Sequence, residues 1–172
     1  MENSISFYFQ MDKNEEFSLK SKKDFIEMGE RAYNSAGEYF SIFEKCFNMI
    51  VTGKHKALCT NIAFACELYI KSLLFRECVD CRKKHDLLEL YNMLPIKIKE
   101  GIKEIHPCSN SKKDRFELEL KELGKAFIVF RYAYERKRLA WNIQFLIELV
   151  LTLRYYTSTV FSKNREKEEL ND

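Results

Sequence analysis

The chain has 172 residues, which is enough for one domain with a sizeable core and no need of disulfides. Its 5 glycines and 2 prolines are too few for an all-β domain, which turns about every 8–12 residues. The net charge of +3 is small for a dedicated nucleic-acid-binding domain, so weak RNA contact is permitted but not indicated. We therefore predict an all-α fold.

The first residues lack the features of an export signal. Residues 1–10 have no basic stretch followed by an apolar one. The most apolar run, residues 145–153, is about half as long as the ~20 residues that a bilayer span needs, and Glu148 interrupts it. We expect a cytoplasmic protein that does not enter a membrane and that keeps its six cysteines reduced.

Residues 4–11 alternate apolar and polar side chains, with Ile5, Phe7 and Phe9 on one side. This period of two predicts a short strand or an extended arm. Because a lone strand leaves backbone groups unpaired, the arm would pair with a copy of itself, lie in a groove or fray. Together with the 14 Phe and 9 Tyr of the chain, the apolar arm favours a homodimer.

The first helix has a clear beginning and end. Ser21 and Asp24 fit the pattern of a helix N-cap. Apolar residues then recur at three- and four-residue steps from Phe25 to Ile50, and Gly53 lies just past the run. A helix with so long an apolar stripe is typical of a bundle.

The second predicted helix, residues 55–75, is apolar nearly all round. A helix without a polar face generally lies at the centre of a domain. Within it, Glu67 and Lys71 are four residues apart, in the order that favours an intrahelical ion pair. Since charges usually stay in water, we expect this pair at the solvated edge of the bundle.

Two short helices are predicted next. Asp86 with Glu89 three residues later is typical of a capping box at a helix start. Pro95 opens or kinks the following helix, residues 96–105, and a turn is expected at residues 107–110.

The remainder of the chain predicts a helix from Asp114, a last helix over residues 139–161 and a charged tail that is solvated or frayed. The predicted organisation is an N-terminal arm (1–20), one helical bundle (21–162) and the tail (163–172). The expected core includes Phe40, Phe43, Phe47, Ile62, Cys66, Tyr69, Leu73, Leu90, Phe127, Ile147 and Val150.

The order of these parts resembles a HEPN domain, of the higher-eukaryote and prokaryote nucleotide-binding helical family. The resemblance lies in the helix segment 65–74 (Ala-Cys-Glu-Leu-Tyr-Ile-Lys-Ser-Leu-Leu) and in His85-Asp86-Leu87 followed by Leu90. It implies an antiparallel bundle, here of about five to six helices, that often forms a dimer. Many members belong to toxin–antitoxin or antiviral systems, and many cut RNA.

The ribonuclease motif of the family, an Arg and a His separated by four to six residues near the start of the last helix, is absent. The three histidines are His55, His85 and His106, and none follows an arginine at that spacing. We therefore expect a non-catalytic module that binds a partner protein, RNA or a nucleotide. A nucleotidyltransferase-like antitoxin would be such a partner by family analogy.

The alternative is a divergent ribonuclease or nucleotide-handling enzyme that uses Arg131, Tyr134 and Glu135, at the place of the missing motif. These residues could form a pocket for a phosphate or a dimer contact, since arginine is favoured at both. They could equally form a structural ion pair flanked by aromatic rings. Glu67, Lys71 and His85 are further candidates for a binding site or interface, and we expect His85 to contact a neighbouring element.

Cysteine and histidine pairs on two predicted loops raise the question of zinc. Cys78 and Cys81 form a C-x-x-C, and His106 and Cys108 could supply two further ligands of a tetrahedral site. The combination is a weak signature, with His85 as a rival ligand, and thiols without metal are the more common outcome. We expect no metal and no other cofactor.

Overall fold

The computed structural model describes residues 18–46, 55–110, 114–124 and 142–169. Within these ranges the chain is all-α, as predicted, and contains no strand. The predicted arm at residues 4–11 lies outside the described residues. The helices are α1 Lys22–Cys46, α2 His55–Arg76, α3 Leu87–Met93, α4 Ile96–Ile105, α5 Asp114–Leu123 and α6 Ile143–Glu169, with a 3-10 turn at Pro107–Asn110.

The start of α1 confirms the predicted N-cap. The Ser21 hydroxyl accepts the Asp24 N–H at 3.2 Å, and the Asp24 carboxylate accepts the Ser21 N–H at 2.8 Å, so each satisfies a backbone donor of the other. The Asp24 carboxylate also accepts the Lys20 N–H at 2.9 Å. The backbone hydrogen bonds from Lys20, which has the largest effect, and from Ser21 hold the pKa of Asp24 below its usual value.

Three long helices form the body of the bundle. The Tyr33 ring lies 6.1 Å from the Tyr69 ring, and the Tyr39 ring lies 4.6 Å from the Phe64 ring, so α1 and α2 are antiparallel. Tyr33 also stacks on Phe161 of α6 at 4.5 Å.

Further along α1, Glu44 forms an ion pair at 2.8 Å with Arg154 of α6. Because the numbering of these contacts rises on one helix and falls on the other, α6 is antiparallel to α1. It continues to Glu169, through most of the segment that the sequence predicts as a solvated or frayed tail.

The predicted core is confirmed wherever the structure describes it. Buried members of that set are Phe40, Phe43, Ile62, Cys66, Tyr69, Leu73, Leu90 and Val150, and Ile147 is partly buried against them. Phe47 and Phe127 lie outside the described side chains. Ala57–Arg76 of α2 is, among the described residues, the one segment long and apolar enough to cross a bilayer, and most of it is buried inside the bundle.

A capped loop joins α2 to α3. Cys78 has a left-handed φ of 57°, and the Val79 N–H donates to the Leu74 carbonyl at 3.0 Å, which closes the last turn of α2. At the other end, the Asp86 carboxylate accepts the N–H groups of Leu88 and Glu89 at 3.0 and 3.1 Å, as the predicted N-cap requires. The two caps fix the loop across the side of α2.

Candidate functional site

Glu67 is a buried carboxylate in the middle of α2, with 1% of its side chain exposed. Its Oε1 atom lies 2.9 Å from the Lys71 ammonium, which is itself 8% exposed. The prediction of an ion pair is confirmed, and its predicted place at the solvated edge is wrong. The loop after α2 covers the pair, since Lys71 also donates to the Arg82 carbonyl at 3.3 Å.

His85 reaches the same carboxylate from the loop before α3. Its Nδ1 atom lies 2.9 Å from Glu67 Oε1, while about half of the ring is exposed. Since the carboxylate is an acceptor, Nδ1 donates this hydrogen bond. The expected contact of His85 with a neighbouring element is therefore present, and Glu67, Lys71 and His85 form one cluster.

One oxygen of the cluster remains without a partner among the described residues. Glu67 Oε2 is buried and accepts no hydrogen bond from them. An unsatisfied buried acceptor costs about 1–3 kcal/mol, so a donor that reached it would be strongly held. This oxygen is an acceptor that a hydrogen-bond donor, and not an anion, would satisfy.

An open groove of about 280 Å³ lies beside the cluster, between α1 and α2. Arg31 of α1, Lys71 of α2 and Arg82 of the loop contribute cationic groups to it, and no carboxylate lines it among the described residues. Its apolar wall is formed by Met28, Ala32, Leu68 and Phe75. The groove thus combines an apolar surface with three cationic side chains, each of which pairs with a carboxylate outside the lining.

A family model for the HEPN domain matches residues 23–166 of the chain. The chain belongs to the HEPN family. Neither a search of curated proteins nor a search of solved structures gave a match. The family resemblance inferred from the sequence is therefore confirmed over most of the chain.

The other candidates at the place of the family motif, Arg131, Tyr134 and Glu135, lie outside the described residues of this HEPN domain. The structure gives no geometry for them, and their role stays a prediction.

A second cluster of chemically active groups lies at the far end of the HEPN bundle. His106, Cys108 and Glu148 each offer one atom that could bind a metal ion, and these three atoms lie within 4.8 Å of one another. In the described part of the chain, neither Cys78 nor Cys81 belongs to a group of this kind. Cys78 is exposed, and burial raises the pKa of the Cys81 thiol to about 12, with Lys71 opposing.

Sequence reasoning missed three of these residues. Arg31 and Arg82 are ordinary surface arginines by sequence, and no local pattern places them on one groove. Glu148 did leave a signal, because it is a charge within an otherwise apolar run. Its neighbours in space, however, are 40 and more positions away.

Proposed function

We propose that this HEPN domain binds a phosphate-bearing ligand, an RNA segment or a nucleotide, in the groove between α1 and α2, without the ribonuclease chemistry of the family. The observation that carries the proposal is the meeting of Arg31, Lys71 and Arg82 on one groove beside an apolar wall. Arginine binds phosphate with a planar fork of donors, and lysine adds a point charge.

The existing partners of these cations leave room for a ligand. Arg31 pairs with Glu27 at 2.7 Å and Arg82 with Asp80 at 2.8 Å, and all four side chains are well exposed. Exposed single-bond pairs contribute about 0–1 kcal/mol, so Arg31 can turn to a phosphate at low cost. Arg82 would give up two hydrogen bonds to Asp80, from Nε and Nη2 at 3.0 and 2.8 Å. Lys71 is fixed by Glu67 and needs no reorganisation.

The groove is small, which favours a short contact. Sites for drug-sized ligands have volumes of about 300–1,000 Å³, and this groove lies just below that range. It suits one phosphate with part of its sugar or base against the Met28 and Leu68 side chains. Single-stranded RNA would then bind mainly through charge, with an affinity that falls as salt rises.

The test is binding of a labelled single-stranded RNA and of ATP to Arg31→Gln, Arg82→Gln and Arg115→Gln. Arg115 is the matched control, because it is 60% exposed against 64% for Arg31 and also pairs four residues along its helix. We expect each groove variant to raise the Kd about tenfold, since hydrogen bonds to charged groups contribute about 1.5–3 kcal/mol. An equal effect of all three variants would contradict the groove as the site.

A second candidate function, a divergent ribonuclease, is favoured by the 2.9 Å contact between Glu67 and His85. A carboxylate that holds a histidine through Nδ1 is an arrangement used for general base catalysis. His85 could then take a proton from a ribose hydroxyl through Nε2, and Arg131, Tyr134 and Glu135 could hold the phosphate. The purified protein incubated with total RNA should cleave it, and His85→Ala should lower the rate about 10²–10⁴-fold. Arg131→Ala tests separately whether Arg131 contributes to cleavage.

The setting that we propose is cytoplasmic, in a prokaryotic defence or toxin–antitoxin system. The support is the family membership. The module would act as a homodimer or with a nucleotidyltransferase-like partner. Light scattering at tens of micromolar should show a dimer, and a neighbouring gene for such a partner would favour the toxin–antitoxin setting.

A further inference from the structure

The three residues at the far end of the bundle come from different elements. His106 follows α4, Cys108 lies in the 3-10 turn, and Glu148 projects from α6. The Cys108 Sγ atom lies 3.9 Å from Glu148 Oε2. Ligand atoms of a tetrahedral zinc site lie about 3.4–3.6 Å apart, from bonds of about 2.0–2.3 Å. The observed cluster, within 4.8 Å, needs only small side-chain shifts to reach that spacing.

The imidazole of His106 suits a metal ligand. Its ring is 1% exposed, and its Nε2 atom has no hydrogen-bond partner among the described residues. Burial lowers the pKa of His106, with Glu148 opposing. Coordination through Nδ1 would replace the 3.1 Å hydrogen bond that Nδ1 accepts from the Cys108 N–H. Coordination through Nε2 would move the ring proton to Nδ1 and so remove the same hydrogen bond.

Glu148 is already oriented for coordination. Gln144, one turn earlier on α6, donates to Oε1 at 2.6 Å, and the other oxygen lies on the side of Cys108. Ligating carboxylates are typically held in this way by a further hydrogen bond. Gln144 therefore holds the Glu148 carboxylate in this orientation.

We propose that His106, Cys108 and Glu148 bind one zinc ion, with the fourth position open to water or another ligand. A neutral imidazole, a thiolate and a carboxylate together balance the two positive charges of the ion. Binding releases the thiol proton, since zinc takes the deprotonated sulfur. The ion would tie the 3-10 turn to α6. This site differs from the one considered from sequence, because Glu148 replaces the pair Cys78 and Cys81.

The experiment uses the full chain, freed of metal with a chelator and titrated with Zn²⁺ in competition with a coloured chelator, and separately with Co²⁺. We expect one Zn²⁺ per chain and a thiolate-to-cobalt absorption band. Cys108→Ser should abolish that band. Gln144→Ala should weaken zinc binding about tenfold. Cys108→Ser and Glu148→Gln should each weaken it by more than that. Cys78→Ser, an exposed thiol outside the cluster, should bind as the unchanged chain does.

The melting temperature in the presence and absence of Zn²⁺ separates metal binding from folding. Zinc should raise the melting temperature of the unchanged chain and of Cys78→Ser. It should leave the melting temperature of Glu148→Gln, which keeps the size of the side chain, unaltered. The proposal would be overturned if the unchanged chain bound no zinc at equimolar concentration. It would also be overturned if Cys78→Ser lost zinc binding while Cys108→Ser kept it. If Cys108→Ser does not fold, Glu148→Gln decides by the same two readouts.

Discussion

At the scale of single residues, the partners of Glu67 have the largest effect on stability, because a buried carboxylate needs cations or hydrogen-bond donors beside it. Its Oε1 atom is shared by the Lys71 ammonium and the His85 ring, each at 2.9 Å. Removing one partner of a buried pair leaves an uncompensated charge, which is far more costly than losing a surface pair. The stability of this part of α2 and the geometry of the groove therefore depend on the same contacts.

Lys71→Met should lower the free energy of unfolding by about 3–5 kcal/mol, because it leaves Glu67 buried without its cation. Urea denaturation measures the change. The double variant Glu67→Leu with Lys71→Met should recover most of the loss, since it removes both charges. A cost below about 1 kcal/mol for Lys71→Met would mean that the pair is solvated, contrary to the structure.

The cysteines should differ strongly in reactivity. Burial raises the pKa of Cys59 to about 11 and that of Cys66 further still, so almost no thiolate forms at pH 8. Cys78 is exposed and should be alkylated first. Mass spectrometry after a brief iodoacetamide treatment at pH 8 should find Cys78 modified and Cys59, Cys66 and Cys81 unmodified until the chain is unfolded.

At the scale of elements, α3 is held in place by contacts at its first turn. Asp86 caps the helix, and the Leu87 N–H donates to the Gly124 carbonyl at 2.8 Å just past α5. Gly124 lies so close that an added Cβ would be 2.8 Å from the Asp86 carboxylate. The absence of a side chain at position 124 thus allows the cap, and the cap orients His85.

Two glycine substitutions should have opposite effects. Gly124→Ala pushes the Asp86 carboxylate from its cap, whose loss costs about 1 kcal/mol. In Gly37→Ala, the methyl group added to α1 has no atom within 4 Å. This variant should raise stability by about 0.5–1 kcal/mol, because alanine has the higher helix propensity. Thermal unfolding of both variants measures the difference, and a stabilised Gly124→Ala would show that the cap tolerates the methyl group.

At the scale of the whole molecule, α2 is the centre around which the bundle is built. It is buried along most of its length, with α1 on one side and α6 on another. Charged groups within so apolar a helix are tolerated only where another element supplies partners. The loop before α3 does so at Glu67 and Lys71, which places this buried pair between the core and the open groove.

Ile62→Ala tests the central place of α2. Ile62 is fully buried, and its truncation should cost about 2–5 kcal/mol in urea denaturation, because lost contacts add to an unfilled cavity. The exposed Ile96, at 70%, offers a control whose change to Ala should alter stability by less than about 0.5 kcal/mol. The far-ultraviolet spectrum should be that of a helical protein in both cases.

The sequence by itself determined the helices and their buried faces. The 3.6-residue period states which side of α1 is apolar, and the caps at Ser21, Asp24 and Asp86 depend on neighbours within a few residues. The motifs around Glu67 and His85 were enough to indicate the family. All of these signals are local, so they can be read without knowing the packing.

Only the tertiary structure decided which side chains meet. Glu67 and His85 are 18 positions apart, and Cys108 and Glu148 are 40 apart. Periodicity states that a face is buried, but it does not state which residues of another element cover it. The burial of Glu67 and Lys71 therefore could not be foreseen: a charged pair on a helix is solvated unless a distant loop folds over it, and whether it does depends on the packing of the whole chain.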